Sequence, residues 1–309
     1  MLGTGSSAVA AVVCVGGVNL DHVFEIERLP TAEGKELARS ARVSGGGLAA
    51  TAAVAISRLG GRSVWCGCLG DDDTGLILAG LLKEAGVVLC DNAVVPGART
   101  PEAVVLVAAD GARWIGFYGD VPLEGQHGPP KPPDLCDAGA VLTDQWSPAL
   151  SLEVLATACR RGIPRVFDVE RPDWNGSGEQ MALSDHVIFA DAGLRAYTGI
   201  ADPVASLQLA AARLPHATVA VTRGSAGSLW WLRGGACSVS APTVRARDTT
   251  GAGDVFHGAY ALGLAEGLGV EDAAVLATAA AAVKVERGNG WDGMPSREDT
   301  SRLIEKGWT

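Results

Sequence analysis

At 309 residues, with a formal net charge of −10 and 48% apolar residues, the chain is long enough for an α/β domain with an attachment. Its acidity argues against nucleic acid or an anionic membrane surface as a partner. Alanine, glycine, valine and leucine dominate and aromatics reach only 5%, a composition suited to helices laid on a parallel sheet. The seven cysteines, Cys14, Cys66, Cys68, Cys90, Cys136, Cys159 and Cys237, are odd in number and scattered. They read as reduced thiols of a cytoplasmic protein. Residues 1–13 lack the basic start of a signal peptide, and the apolar run 8–15 is too short to span a bilayer.

That run, closed by Gly16-Gly17, predicts a buried parallel strand. Asn19 and Asp21 follow at its C-terminal end, the edge where open α/β sheets collect ligands, although Asx residues there also form plain turns. Segments 23–26 and 37–43 are short and strand-like around a turn at 29–31. They predict a hairpin off the main sheet, carrying Lys35. Ser44-Gly45-Gly46-Gly47 then opens an alanine-rich helix that stops at Gly60-Gly61. A glycine entry lets a ligand hydroxyl approach the backbone. No G-x-G-x-x-G occurs, so a nicotinamide-type fingerprint is not supported.

Residues 63–69 predict a second buried strand, which would put Cys66 and Cys68 on one face. Asp71-Asp72-Asp73 is suited to capping the helix expected over 76–86, and Gly86-Val87 begins a further strand. Segments 103–107 and 113–118, joined by Asp110-Gly111, form a second hairpin signal. Residues 125–133 read as a loop. Strand 140–143, helix 150–161 and strand 165–167 follow, with Asp168, Glu170 and Arg171 beyond the last strand read as a surface ion pair. Strand 186–190 leads through Asp191 into a helix ending at Thr198-Gly199. Strand 218–222, ending at Thr222, runs into a glycine turn with Gly224 and Gly227. A helix over 271–286 carries Lys284 and stops at Gly288.

The densest chemistry lies in Asp248-Thr249-Thr250-Gly251-Ala252-Gly253-Asp254, followed by an apolar helical pattern at Val255, Phe256, Ala259 and Leu262. A helix starting near Gly251 presents unpaired N–H groups at its positive end, and glycines let a charged group come close. An aspartate in a first helical turn is by itself only a dipole partner. Beside such a cradle it suits phosphoryl transfer: the N–H groups hold developing negative charge and the carboxylate takes a hydroxyl proton.

This run resembles the second signature of the PfkB, or ribokinase-like, carbohydrate kinases, D-T-x-G-A-G-D. Residues 45–60 resemble the first, and Thr222-Arg223-Gly224-Ser225-Ala226-Gly227 the family's Thr-x-Gly-x-x-Gly. Two departures stand out. Thr51 occupies the place of a sugar-contacting Asn, and Ala190 and Gly193 align where the family has Asn-x-x-Glu. Within the family, stretches 45–53, 183–186, 224–227 and 248–258 look most like the sulfofructose kinase branch.

The resemblance implies a three-layer α/β/α sandwich with a mostly parallel sheet, built from 1–21, 44–98 and 120–309, plus a β-lid from 22–43 and 99–119. It implies ATP-dependent phosphorylation of a ketose-type sugar, fructose-like or sulfofructose-like. Asp254 would be the base, and Gly251, Ala252 and Gly253 would stabilise charge. Asp21, Lys35, Gly46, Gly47 and Thr51 would hold the sugar. Thr222, Gly224, Gly227, Lys284 and Gly288 would lie near the nucleotide. Mg2+ would bridge the phosphates, with no protein ligands assignable from sequence. A monovalent cation such as K+ could sit on carbonyls of the 288–290 loop. The implied partners are a small-molecule sugar and a second copy of the chain, paired through the lid. A nucleoside or pyrimidine-alcohol kinase of the same fold and a non-catalytic sugar- or nucleotide-binding protein remain as alternatives.

Overall fold

The computed structural model describes residues 11–91, 93–119, 130–174 and 176–308. The apolar run that begins the chain forms β1 (Ala11–Val15), every residue of it buried. Its first residues, 8–10, and part of the 125–133 loop fall outside the described residues. The next strands leave the core: β2 (Asn19–Ile26) pairs antiparallel with β3 (Ser40–Gly46). Helix α1 (Leu48–Arg58) and strand β4 (Arg62–Cys66) return to it. Two short strands, β5 (Leu69–Gly70) and β7 (Val94–Val95), pair with each other around α2 (Asp73–Glu84) and β6 (Val88–Leu89). Strands β8 (Glu102–Ala108) and β9 (Arg113–Tyr118) form the second hairpin.

The C-terminal part continues β10 (Ala138–Thr143), α3 (Pro148–Arg161), β11 (Arg165–Val169), α4 (Ser177–Leu183), β12 (His186–Ala190), α5 (Asp191–Thr198), α6 (Pro203–Arg213) and β13 (Thr218–Thr222). It ends with β14 (Ser228–Leu232), β15 (Gly235–Val239), α7 (Ala252–Ala265), α8 (Val270–Arg287) and α9 (Arg297–Lys306).

The large sheet runs β15-β14-β13-β12-β11-β10-β1-β4-β6. It is parallel from β6 to β13, and β14 and β15 are added antiparallel. The small sheet runs β3-β2-β8-β9, with β2 and β8 parallel. The expected α/β architecture is therefore present, with an antiparallel extension that periodicity alone had not indicated.

Helix packing explains the alanine richness. In the main core, α1 and α7 meet through Ala49, Ala52, Ala53, Val255 and Ala259. A Cβ on Gly258 would stand 2.6 Å from the Ala52 carbonyl oxygen. The two helices thus approach at backbone distance, which only a residue without a side chain permits.

Two local expectations change and one holds. The 63–69 run breaks at Gly67, where a Cβ would strike the Gly16 carbonyl. Cys66 and Cys68 therefore do not share a strand, and Cys66 faces Cys90 instead. Asp72 of the acidic run does cap α2, accepting from Gly75 N–H at 2.9 Å, and it also accepts the Thr100 backbone N–H at 2.9 Å. Asp21 and Gly46 lie within strands of the small sheet rather than in loops beside β1.

Candidate active site

The turn into α7 is held from both sides. Arg247 N–H donates to Val285 O at 3.0 Å at the end of α8. Asp248 Oδ1 accepts Thr250 N–H at 2.8 Å, and Asp248 Oδ2 accepts from Arg42 of β3 at 3.0 Å. Gly251 then takes φ 75° and no side chain caps the helix. A residue with a Cβ is strained there, and first-turn N–H groups stay available to a ligand apart from that of Ala252, which donates to Thr249 O at 3.3 Å.

Asp254 follows in that first turn and lines a cavity of about 790 Å3 with Asp21, Asp168, Glu170 and Asp248. Burial, reinforced by Asp168, Glu170, Asp144 and Asp21, pushes the Asp254 carboxyl well above the ordinary aspartate range. One turn along α7, His257 reaches back: its Nδ1 lies 2.7 Å from Gly253 O and 3.0 Å from Asp168 Oδ2. Asp168 is accordingly buried, and Arg171 pairs with Asp173 instead. The expected surface ion pair at 168–171 is replaced by carboxylates facing the cavity, because β11 ends at the ligand edge of the sheet.

Across the cavity, burial raises the Asp21 carboxyl to about 6, against the help of Asn19 Nδ2 and nearby cations. Gly46 makes room for it, since a Cβ there would stand 2.7 Å from Asp21 Cγ. Gly47, at φ 92°, begins α1 without a side-chain cap of its own. The cap comes from the far end of β10. Asp144 accepts Ala49 N–H at 3.0 Å, Gly17 N–H at 2.9 Å and Trp146 N–H at 2.8 Å. This ties β1, β10 and α1 together at the cavity floor. A Cβ on Gly16 would fall on the Asp144 carboxyl.

Thr51 is buried below Gly251, its Oγ1 accepting the Trp291 indole N–H at 3.0 Å. The Trp291 ring packs flush on Gly45. An aromatic row borders the cavity: Phe117 and Trp146 have centroids 6.0 Å apart, and Trp146 and Trp174 5.0 Å.

A second groove, of about 550 Å3, runs along the other side of the α7 start. Thr222, Gly224, Gly227 and Ala252 line it over apolar Phe256, Ala281, Ala282 and Val285. Gly227, at φ 77°, lets the chain pass tightly against the Val239 carbonyl.

The predicted residues thus sort into two groups. Asp21, Gly46, Gly47, Thr51, Gly251, Gly253, Asp254, Thr222 and Lys284 line the first cavity. Thr222, Gly224, Gly227, Ala252 and Gly253 line the groove. Lys284 is buried, with its Nζ donating to Gly288 O at 3.4 Å. Lys35 is exposed between β2 and β3, and neither it nor Gly288 lines either space. Asp191 is ion-paired with Arg195 along α5.

Residues absent from the sequence reading of the site are Asp144, Arg42, Arg113, His257 and Trp291. Only the position of Asp144 just beyond an apolar strand offered a signal, and the others depend on long-range contacts. Among the described residues, no group of three or more His, Cys, Asp or Glu side chains is arranged to hold a metal ion. No helix there is long and apolar enough to cross a membrane.

The pfkB family carbohydrate kinase model matches residues 9–297. A crystal structure of a ribokinase candidate from Agrobacterium tumefaciens is 32% identical, with a TM-score of 0.90 over 96% of this chain and 98% of that one. Arabidopsis thaliana ribokinase complexed with ribose and ATP is 27% identical, with a TM-score of 0.81 over 96% of this chain and 99% of that one. A fructokinase of Solanum tuberosum is 29% identical, covering 76% of each chain.

Proposed function

This chain belongs to the pfkB family of carbohydrate kinases, and from that premise we propose that it transfers the γ-phosphoryl group of ATP to a hydroxyl of a ribose- or fructose-like sugar. One observation carries the reading: Asp254 and the open first turn of α7 stand where the carboxylate-rich cavity meets the glycine-lined groove. The sugar enters the cavity, with Asp21 and the backbone at Gly46 and Gly47 binding its hydroxyls. The nucleotide lies in the groove, its phosphates toward Gly224, Gly227 and the 251–254 turn.

The acceptor oxygen attacks the γ-phosphorus and its proton passes to Asp254. The bond from the γ-phosphorus to the β-bridging oxygen breaks, and ADP leaves. The raised pKa of Asp254 brings the base closer to neutral pH, where proton transfer is most efficient. First-turn N–H groups stabilise charge on the transferred group. Magnesium takes one or two carboxylates plus phosphate oxygens and water. Asp168 and Glu170 are cavity carboxylates of suitable chemistry, and the ion would neutralise phosphate charge when bound.

A second reading, a nucleoside acceptor, is favoured by the row Phe117, Trp146 and Trp174, which offers faces to a flat base. A sulfonated ketose would need cationic donors. Of the cavity's cations, Arg42 is already bound to Glu25 and Asp248 and Lys284 is buried on the Gly288 carbonyl, which leaves Arg113 at the border with the groove; Lys35 lies elsewhere.

The test is a mass-spectrometric panel of ribose, fructose, sulfofructose and nucleosides with MgATP. Asp254→Asn is run beside the parent on the acceptor that turns over. We expect a phosphorylated pentose or ketose, and a loss of at least ~100-fold in kcat for the variant with nucleotide binding retained. Full activity of Asp254→Asn would remove it as the base.

A further inference from the structure

Four residues line both the cavity and the groove: Arg113, Thr222, Thr249 and Gly253. Arg113 alone among them is charged. It starts β9, on the strand face shared with Ile115 and Phe117, which also line the cavity. Its Nη1 donates to Thr250 Oγ1 at 3.2 Å, next to the Gly251 that begins α7. No ion pair engages its guanidinium among the described residues. By contrast, Arg42 is held by Glu25 and Asp248, and Lys284 is buried against the Gly288 carbonyl.

The junction also carries a charge problem. Asp21, Asp168, Glu170 and Asp254 all face the space through which an anionic phosphoryl group must pass. Such a group needs a cation at the point of transfer. A guanidinium fork matches phosphoryl oxygens in two places at once and keeps its charge at any working pH.

We propose that Arg113 is a catalytic residue, carried on the small sheet, whose guanidinium contacts the γ-phosphoryl oxygens during transfer. The proposal rests on the kinase reading above. The bonds made and broken are those already described, and Arg113 neither gains nor loses a proton. Because the face of the small sheet that bears Arg113 also bears Asp21 and Val23, seating the acceptor and delivering the cation become one event.

The experiment compares Arg113→Ala and Arg113→Lys in the full chain. Steady-state kinetics is run on the acceptor that the panel identifies. Calorimetric affinities are taken for a non-hydrolysable β,γ-imido ATP analogue and for ADP. Arg113→Ala should lower kcat at least ~30-fold, with Arg113→Lys between it and the parent. The preference for the triphosphate analogue over ADP should drop ~10-fold. An unchanged preference with kcat within twofold of the parent overturns the proposal. So does a rise confined to the acceptor KM, which would make Arg113 a sugar ligand. The affinity ratio needs no turnover. A parent inactive on every acceptor therefore counts against the proposed function, while an unchanged ratio counts against Arg113.

Discussion

Gly45→Ala tests how the Gly45–Trp291 wall of the cavity is built. Gly45 lies in β3 and is not among the left-handed residues, so alanine meets no backbone penalty there. The cost is steric. The new Cβ would stand 2.5 Å or less from three carbons of the Trp291 ring, where ordinary carbon contacts need about 3.5 Å. The ring must therefore retreat by about 1 Å. It is pinned by its indole N–H on Thr51 Oγ1 at 3.0 Å and by its backbone N–H on Ser44 Oγ at 3.3 Å. Moving it strains the core by ~1–3 kcal/mol and strands a buried indole donor at a further ~1–3 kcal/mol. The sum, ~2–6 kcal/mol, lowers Tm by roughly 4–12 °C for a chain of this size.

Calorimetry and urea unfolding measure this, with the m-value expected to stay constant. The same change should raise the acceptor KM and leave the nucleotide KM alone, because β3 carries Gly46 into the cavity. A double-mutant cycle isolates the cause. In a Trp291→Ala background, itself costly by ~3–5 kcal/mol, adding Gly45→Ala should cost under ~0.5 kcal/mol. A single Gly45→Ala variant as stable as the parent, or one whose cost persists in the Trp291→Ala background, refutes the reasoning.

Two further outcomes follow. The Asp254 carboxyl must be ionised to take a proton, and its pKa is raised, so activity should fall on the acid side at a pH above the ordinary aspartate range. Glu170→Gln removes one of the charges that raise it, and a kcat–pH profile should then show the acid limb moved to lower pH; a limb that stays or moves up contradicts the assignment. The outer face of the small sheet exposes Val43, Val104, Trp114 and Tyr118, and β3 and β9 are its edges, so light scattering should report a dimer that Trp114→Glu converts to monomer.

The chemistry-bearing turn was legible because its signal is local. Glycine at the start of an amphipathic helix, with a carboxylate in the first turn, implies an anion cradle whatever the surroundings. Strand and helix order was legible for the same reason, as apolar runs and glycine stops are short-range features. Even so, the 63–69 run was split by Gly67 meeting Gly16, two residues far apart in the chain. The 168–171 group shows the limit more sharply. Asp168 and Glu170 look like exposed charges beside Arg171. Only the register of β11 against its neighbours turns them into the cavity, where Asp168 meets His257.

What the sequence determined alone was the fold class and the open helix start with Asp254 in its first turn. Tertiary structure decided the walls. Asp144 caps a helix by accepting the N–H of Ala49, 95 residues earlier, Trp291 reaches across to Thr51 and Gly45, and Arg113 reaches Thr250 from a strand of the small sheet. Each contact joins residues whose separation leaves no periodic trace. The cavity wall is assembled from such contacts, whereas the α7 cradle comes from one unbroken stretch of chain. That difference in sequence separation is why residues 248–254 announced phosphoryl transfer and the acceptor's surroundings did not announce themselves.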